Sequence, residues 1–284
     1  MQDKYREKLD NRLTPIHLYK LTPKTNCGEC GFASCLAFAT QVIVGQGDLD
    51  ACPYLDRSLL EPFRDHLESQ HQSGIGLKRE GFEKALHHLR GEIKKWNLEN
   101  LAESLDASFV LKEGEPALEL TYFGNPVIVT AGDIVSSLGK EINPWEKIFL
   151  YNYVIGGAVE CSGVWVGMES FPNSVSKIKS LKAHCEGRLA QSFASKFSAL
   201  PPITASLGRD VTSDHENVDF AAEFQILPRL PIRILWWDEV PSEGFEAKTK
   251  FLFDSRALET LDLESLLFAC EQLTGRLLDA LQTL

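Results

Sequence analysis

Apolar residues recur along the chain in two periods, and the switch between them divides it into elements. Near the N-terminus Phe32, Leu36, Ala39 and Ile43 share one helical face, predicting a short helix that begins near Cys35 and ends at Gly45 and Gly47. Phe82, Leu86, Leu89, Ile93 and Trp96 repeat the helical spacing. The period then falls to that of strands at Phe109–Leu111, Ala117–Phe123 and Val127–Thr130. The turn-forming stretches Glu113-Gly114-Glu115-Pro116 and Gly124-Asn125-Pro126 separate these strands, so a three-stranded meander is expected.

Asn143-Pro144-Trp145-Glu146 carries helix-start chemistry: a cap, a proline at the first helical position, and a glutamate that reaches back. Gly156-Gly157 stops that helix, and Val164–Gly167 reads as a short strand. Val175, Ile178, Leu181, Cys185, Leu189 and Phe193 form one stripe of a helix expected over Val175–Phe197. Strands follow at Phe220–Ile226 and Ile232–Trp237, broken by Leu227-Pro228-Arg229, with a short one at Phe251–Phe253. The chain closes on an amphipathic helix capped by Asp262, with Leu263, Leu266, Leu267, Cys270, Leu273, Leu277 and Leu281 as its apolar stripe.

The polar run Glu68-Ser69-Gln70-His71-Gln72-Ser73-Gly74-Ile75-Gly76 interrupts these patterns and reads as a linker. The fold class is therefore α+β. A small, mostly helical module over residues 1–66 is joined by a linker over 67–77 to a larger α+β domain over 78–284 with a largely antiparallel sheet.

Composition narrows the function classes. The 284 residues are 44% hydrophobic and 24% charged, ordinary globular values. A formal net charge of -11 repels phosphate backbones, and no basic block with interleaved aromatics offsets it, so nucleic acid is not an expected partner. The start MQDKYREKLDNRL lacks the apolar run of a signal peptide, and Ile148–Val159 falls short of the about 20 residues a bilayer needs. A cytoplasmic protein without membrane insertion is expected.

Four of the seven cysteines lie between residues 27 and 52, and in a reducing compartment such clustering points to a metal or to catalysis before disulfides. Cys27, Cys30, Cys35 and Cys52 follow the pattern C-x2-C-x4-C-x16-C-P. Four thiolates, one per iron, are what a cubane iron–sulfur cluster needs. Gly28 and Gly31 let the loop turn tightly and bring backbone N–H groups toward the sulfurs. Cys35 is expected at a helix N-terminus, where unpaired N–H groups favour negative charge, with Phe32 and Leu36 as a shield against water. Zinc competes for such a set. Structural zinc sites usually show two close pairs, and a triple plus a single suits a cubane better. Packed cysteines without a metal are the remaining alternative.

At these residues the sequence resembles a known family. Lys24-Thr25-Asn26-Cys27-Gly28-Glu29-Cys30-Gly31-Phe32, with Cys35, Ala39 and Cys52-Pro53, is similar to a four-cysteine module. It occurs in the large subunit of the corrinoid iron–sulfur protein of acetyl-CoA synthesis and in the B subunit of the Rnf electron-transport complex. The resemblance covers residues 10–66 and implies one [4Fe–4S] cluster on Cys27, Cys30, Cys35 and Cys52. Ala33 stands where relatives often have proline. Residues 78–284 resemble an uncharacterised domain family that follows this module in proteins of anaerobes. Tyr122-Phe123-Gly124, Leu227-Pro228-Arg229-Leu230-Pro231, Trp236-Trp237-Asp238-Glu239 and Phe251-Leu252-Phe253-Asp254 carry that likeness.

Elsewhere the sequence offers little chemistry. It has no GxxxxGK[ST] loop, no GxGxxG after a strand, no HExxH and no GxSxG. His184 and Cys185 are adjacent on a helix and so do not face each other, which leaves Cys185, like Cys270, as a buried structural thiol. Cys161 reads as a packed cysteine, with an extra ligand or a redox thiol as the alternatives. His87 and His88 are expected to pair with Glu83 and Glu92 one turn away on the surface. Trp236 and Trp237 point to opposite sides of a strand, one into the core and the other to a surface or pocket. Arg229 and Arg233 are candidate anion contacts. The expected function is electron transfer by one low-potential [4Fe–4S] cluster, with a corrinoid or other redox protein as partner. Two alternatives remain. In one, the C-terminal domain is an enzyme or corrinoid-binding unit that takes electrons from the cluster. In the other, the protein is a binding or sensory module with a structural cluster.

Overall fold

The computed structural model describes residues 13–43, 47–56, 60, 63–67, 77–194 and 196–283, with the backbone alone over 77–83. The linker stretch from Glu68 to Gly76 and the helix stop at Gly45 lie outside the described residues. The chain divides into two compact units, residues 1–85 and 86–284.

The first unit contains α1 (Pro15–Tyr19) and α2 (Cys35–Ile43), which pack against each other, and a single helical turn at Leu49–Ala51. Five residues are too few for a periodic signal, so α1 is invisible to pattern reading, although Pro15 at its first position is start chemistry. His17 Nδ1 accepts the Thr14 N–H at 3.1 Å and completes that start. α2 begins at Cys35 as expected, but its buried face is rotated. Cys35, Phe38, Ala39, Val42 and Ile43 are buried, while Leu36 is 43% exposed. The inward face is set by the core it meets, in which Phe38, Ala39 and Val42 pack with Leu18, Leu49, Leu55 and Phe63.

The second unit is α+β. Its first helix is the portion from Leu86 of α3 (Leu77–Ile93), with Leu86 and Ile93 buried and Leu89 half-buried. Trp96 lies beyond the helix end and is half-exposed, so it does not continue the stripe. After α4 (Leu98–Ala102) come β1 (Ser108–Lys112), β2 (Glu115–Tyr122), β3 (Asn125–Thr130) and β4 (Ile134–Ser136), an antiparallel meander in that order. The fourth strand is one more than the sequence predicts. It is only three residues long, with one fully buried position. Both hairpin turns are tighter than predicted. Glu113-Gly114 and Phe123-Gly124 each adopt positive φ, the geometry that matches strand twist, and Glu115, Pro116, Asn125 and Pro126 belong to strands.

α5 (Pro144–Gly156) starts as its sequence specifies. Asn143 Oδ1 accepts the Glu146 N–H at 3.0 Å, and Glu146 Oε2 accepts the Asn143 N–H at 3.1 Å. The helix expected over Val175–Phe197 is α6 (Val175–Leu181), a π-helical turn at Lys182–Glu186 and α7 (Gly187–Phe193). Its buried residues Leu181, Cys185, Leu189 and Phe193 are spaced by four. A spacing of four overshoots the 3.6-residue turn, so the stripe drifts around a regular helix, and one wider turn brings it back. Val175, placed on that stripe by pattern alone, is 71% exposed. α8 (Leu200–Leu207), unexpected from its sequence, opens on Pro201-Pro202, which fit a first helical turn.

The second sheet has the order β5-β9-β8-β7-β6, formed by β5 (Trp165–Val166), β6 (Arg209–Asp210), β7 (Phe220–Leu227), β8 (Leu230–Trp237) and β9 (Lys248–Asp254), all antiparallel. Pro231 sits inside β8, opposite Gln225 where the ladder with β7 is irregular, a place where the missing N–H is tolerated. After the short α9 (Ala257–Thr260), α10 (Leu263–Gln282) is capped by Asp262, whose Oδ1 accepts the Ser265 N–H at 2.7 Å. One core joins Leu118 and Val129 of the first sheet, Phe224, Ile234 and Phe251 of the second, Phe149 and Tyr153 of α5, and Leu266, Leu273 and Leu277 of α10. Among the described residues no helix is long and apolar enough to cross a membrane.

Asn143→Ala removes the side-chain half of the reciprocal cap on α5 and leaves the backbone N–H of residue 143 to Glu146. It is expected to lower unfolding free energy by about 1 kcal/mol, measured by denaturant titration.

Candidate metal centre

The four clustered cysteines all belong to the first unit: Cys27 and Cys30 on the loop before α2, Cys35 at its first residue, and Cys52 directly after the turn at Leu49–Ala51. Cys27 is exposed, Cys30 half-buried, and Cys35 and Cys52 buried. The loop from Lys24 to Cys35 is shaped by four left-handed residues. Lys24, Asn26, Gly28 and Gly31 have φ of 60°, 51°, 78° and 82°. At Gly28 and Gly31 a side chain would be strained, and the Gly31 N–H closes a tight turn onto the Gly28 carbonyl at 2.9 Å. This turn carries Cys30 between Cys27 and the start of α2.

Asn26 is a residue that sequence reading passed over. Its Oδ1 accepts the Cys35 N–H at 2.9 Å, across nine positions. The side chain beside the first cysteine thus caps the helix that begins with the third. The Ala37 N–H is taken by Ser34 Oγ at 3.1 Å. The Cys35 N–H is therefore not one of the unpaired groups expected to face negative charge. The available signal was an asparagine, a type that tolerates left-handed φ and caps helices, placed directly before a cysteine.

The fourth cysteine follows the turn at Leu49–Ala51, whose start is fixed by Asp48 Oδ1 accepting the Asp50 N–H at 2.9 Å. Two residues later, the Tyr54 hydroxyl donates to Glu29 Oε1 at 2.8 Å. That hydrogen bond to a carboxylate raises the Tyr54 phenol above its ordinary value, and the nearby Cys27 and Cys52 thiols add to the shift. Among the described residues no three His, Cys, Asp or Glu side chains converge on a point that one ion would occupy. A cubane takes one thiolate per iron, so its ligands need not share such a point. The donor set of four thiols, two of them buried, on a loop turned by two glycines fits such a cluster.

The remaining cysteines belong to the second unit. Cys185 is fully buried and its thiol is pushed by burial up to about 12. Cys270 is fully buried and shifted the same way by burial. His184 is exposed, so it does not face Cys185. Cys161 is exposed, with Sγ 3.6 Å from the Arg229 carbonyl, and partial burial of the thiol followed by the Asp254 carboxylate raises its pKa. A thiol held protonated in this way is a poor nucleophile.

The other candidates are structural. Glu92 bonds Lys95 at 2.5 Å, so the expected pairing with His88 gives way to a lysine one turn on. The side chain of Glu83 lies outside the described residues. Trp236 is buried against Phe220 and Phe224. Trp237 lies on the opposite side of β8, its indole N–H donating to the Asn217 carbonyl at 2.6 Å. Arg233 is not a free anion contact. It is 8% exposed, its Nε donates to Glu223 Oε2 at 2.8 Å and its Nη2 meets Asp214 Oδ2 at 3.0 Å, with the guanidinium over the Trp165 ring at 4.2 Å. Arg209 meets the other Glu223 oxygen at 2.6 Å. Arg229 donates its backbone N–H to the Tyr153 hydroxyl at 3.1 Å, and its Nε is buried without a hydrogen bond.

Two family models match separate stretches of the chain. Residues 23–54, which contain all four clustered cysteines, match the family model described as "Putative Fe-S cluster", so the segment is of an iron–sulfur class. Residues 97–276 match the model described as "Domain of unknown function (DUF3786)", and the chain belongs to that family. Among curated proteins, the corrinoid/iron-sulfur protein large subunit of Moorella thermoacetica is 49% identical over 49 residues, 17% of this chain and 11% of that protein. The acetyl-CoA decarbonylase/synthase complex subunit gamma of Methanocaldococcus jannaschii is 40% identical over 53 residues, 19% of this chain and 11% of that protein. The subunit of that name from Methanothermobacter thermautotrophicus is 52% identical over 44 residues, 16% and 10%. The likeness thus spans about a tenth of each relative's length.

Asn26→Gly keeps the left-handed backbone and removes the carboxamide. Amide exchange by NMR is expected to show the Cys35 N–H exchanging about fivefold faster, the equivalent of one hydrogen bond of about 1 kcal/mol. An unchanged rate would mean that Asn26 does not hold Cys35. Arg233→Met leaves Glu223 buried with Arg209 as its one remaining ionic partner among the described residues. It is expected to cost about 3 kcal/mol in denaturant unfolding.

Proposed function

We propose that residues 1–66 form a module holding one [4Fe–4S] cluster on Cys27, Cys30, Cys35 and Cys52. Residues 67–77 join it to the α+β domain of residues 78–284. In this reading the protein is a cytoplasmic electron-transfer protein that exchanges single electrons at low potential with a redox partner of the corrinoid type. The observation that carries the proposal is the cysteine set itself: four thiols spaced C-x2-C-x4-C-x16-C within residues 23–54, with the first three fixed on a loop and helix start tied by Asn26.

A bound cluster supplies a one-electron couple whose potential follows net charge, hydrogen bonds to sulfur and solvent exposure. The chain's own residues set those three quantities. Burial of Cys35 and Cys52 removes two thiolates from water, and exposure of Cys27 leaves one side accessible for close approach of a partner. Gly28 and Gly31 let the backbone pass close to the sulfurs. Glu29 adds a negative charge between Cys27 and Cys30, which favours the oxidised state and a lower potential. The corrinoid partner rests on the names of the similar proteins, two of which are a corrinoid/iron-sulfur subunit and a subunit of an acetyl-CoA decarbonylase/synthase complex.

Protein made and purified without oxygen is expected to be brown and to hold about four irons and four sulfides per chain. Zinc, or no metal, in such a preparation would falsify the reading. Cys52→Ala should lose or degrade the cluster while Cys185→Ala keeps it, and equal loss in both would refute the assignment of ligands. A redox titration of the loaded chain then tests whether the potential is low.

A further inference from the structure

The hydrogen bond between Tyr54 and Glu29 joins residues 25 positions apart and is not needed to build either element that carries it. Glu29 stands between Cys27 and Cys30, and Tyr54 stands two residues after Cys52, with Pro53 stiffening the step between. The bond therefore spans the gap that a four-cysteine site must close, between a compact triple of ligands and a fourth brought in across sixteen intervening residues. Without metal, the free ends of such a loop are held apart by chain entropy. Both partners are exposed, so the bond competes with water, and its acceptor is a carboxylate, which makes it stronger than a neutral pair.

We propose that Tyr54 and Glu29 form a clasp that holds the Cys52 segment against the Cys27–Cys30 loop, making Tyr54 a positioning residue for the cluster. The inference rests on the cluster reading above. The clasp acts in two states. In the metal-free chain it keeps the fourth ligand near the other three, so that Cys52 stays buried. In the loaded chain it resists the outward swing of Cys52 that begins release of iron.

The test uses the full chain, metal-free and anaerobically loaded, with Tyr54→Phe, Glu29→Ala and Glu29→Gln. Phenylalanine keeps the ring and removes the donor, and glutamine keeps an acceptor oxygen while removing the charge. Two rates are read: alkylation of Cys52 in the metal-free chain, followed by peptide mass spectrometry, and loss of iron from the loaded chain to a ferrous chelator. Tyr54→Phe and Glu29→Ala are expected to raise both rates about fivefold, the scale of one hydrogen bond. Glu29→Gln, which keeps an acceptor but not the charge, should fall between the parental and the Glu29→Ala rates, a partial rescue that a simple loss of charge would not give. Parental rates in Tyr54→Phe, or a Glu29→Gln variant as fast as Glu29→Ala, would overturn the clasp. Should the parental chain take up no cluster, the cluster reading fails, and the alkylation rates still decide whether the clasp exists.

Discussion

Much of the candidate metal centre depends on a single contact, the Cys35 N–H donating to the side chain of Asn26. A helix N-terminus leaves several N–H groups without partners, and a helix as short as Cys35–Ile43 is marginal without a cap. Here the cap comes from the loop that carries the other two close cysteines. Starting the helix and closing the loop are therefore one event. The spacing of two and four residues follows from this geometry: Cys30 must lie on a turn short enough for Asn26 to reach back to Cys35.

The second unit is ordered by a different constraint, the central position of the β7–β8 hairpin in a sheet whose one face joins the main core and whose other face carries a buried ion pair beside a small apolar cluster of Val211, Ala221 and Leu235. Phe220, Phe224, Ile232, Ile234 and Trp236 alternate into the main core. Glu223 and Arg233 pair on the opposite face, where Asp214, Arg209 and the Trp165 ring satisfy what remains of their charge and donors. A buried pair of this kind adds little stability over apolar residues, but it penalises any register in which its members fail to meet. Phe123 links the two sheets of this unit. Its N–H donates to the Ile226 carbonyl at 2.9 Å, and its ring lies 4.2 Å from the Arg276 guanidinium. These contacts explain why a bulky residue occupies a left-handed turn position that usually holds a small or polar one.

Where sequence pattern and structure agree, the signals were local and redundant. The start of α5 had a cap, a proline and a glutamate all pointing one way. The strands β2, β7 and β8 had both alternation and turn chemistry at their ends. The cysteine spacing was legible because all four positions fall within one short stretch of chain, the stretch that the iron–sulfur family model matches. What pattern did not reveal depended on partners distant in the chain. The inward face of α2 turns on what it packs against, which exposes Leu36. Arg233 read as a candidate anion contact because Asp214 and Glu223, which hold it, lie at a distance from it in sequence, on neighbouring elements. Tyr54 and Glu29 carry no motif of their own, and only folding places them within hydrogen-bond distance. The short elements α1 and β4 fell below the length at which any periodicity can be detected.

The π-helical turn at Lys182–Glu186 has a consequence for how this family can vary in length. A stripe spaced by four is held on one face only by the extra residue in that turn. Removing one residue there would restore a regular helix with both flanks still in register, because the wider turn is what absorbs the extra residue. Leu181 would then stay in the core. A deletion in the regular helix on either side would instead rotate everything beyond it by about 100°, so this turn is the one place where the stretch can lose a residue and keep its buried face.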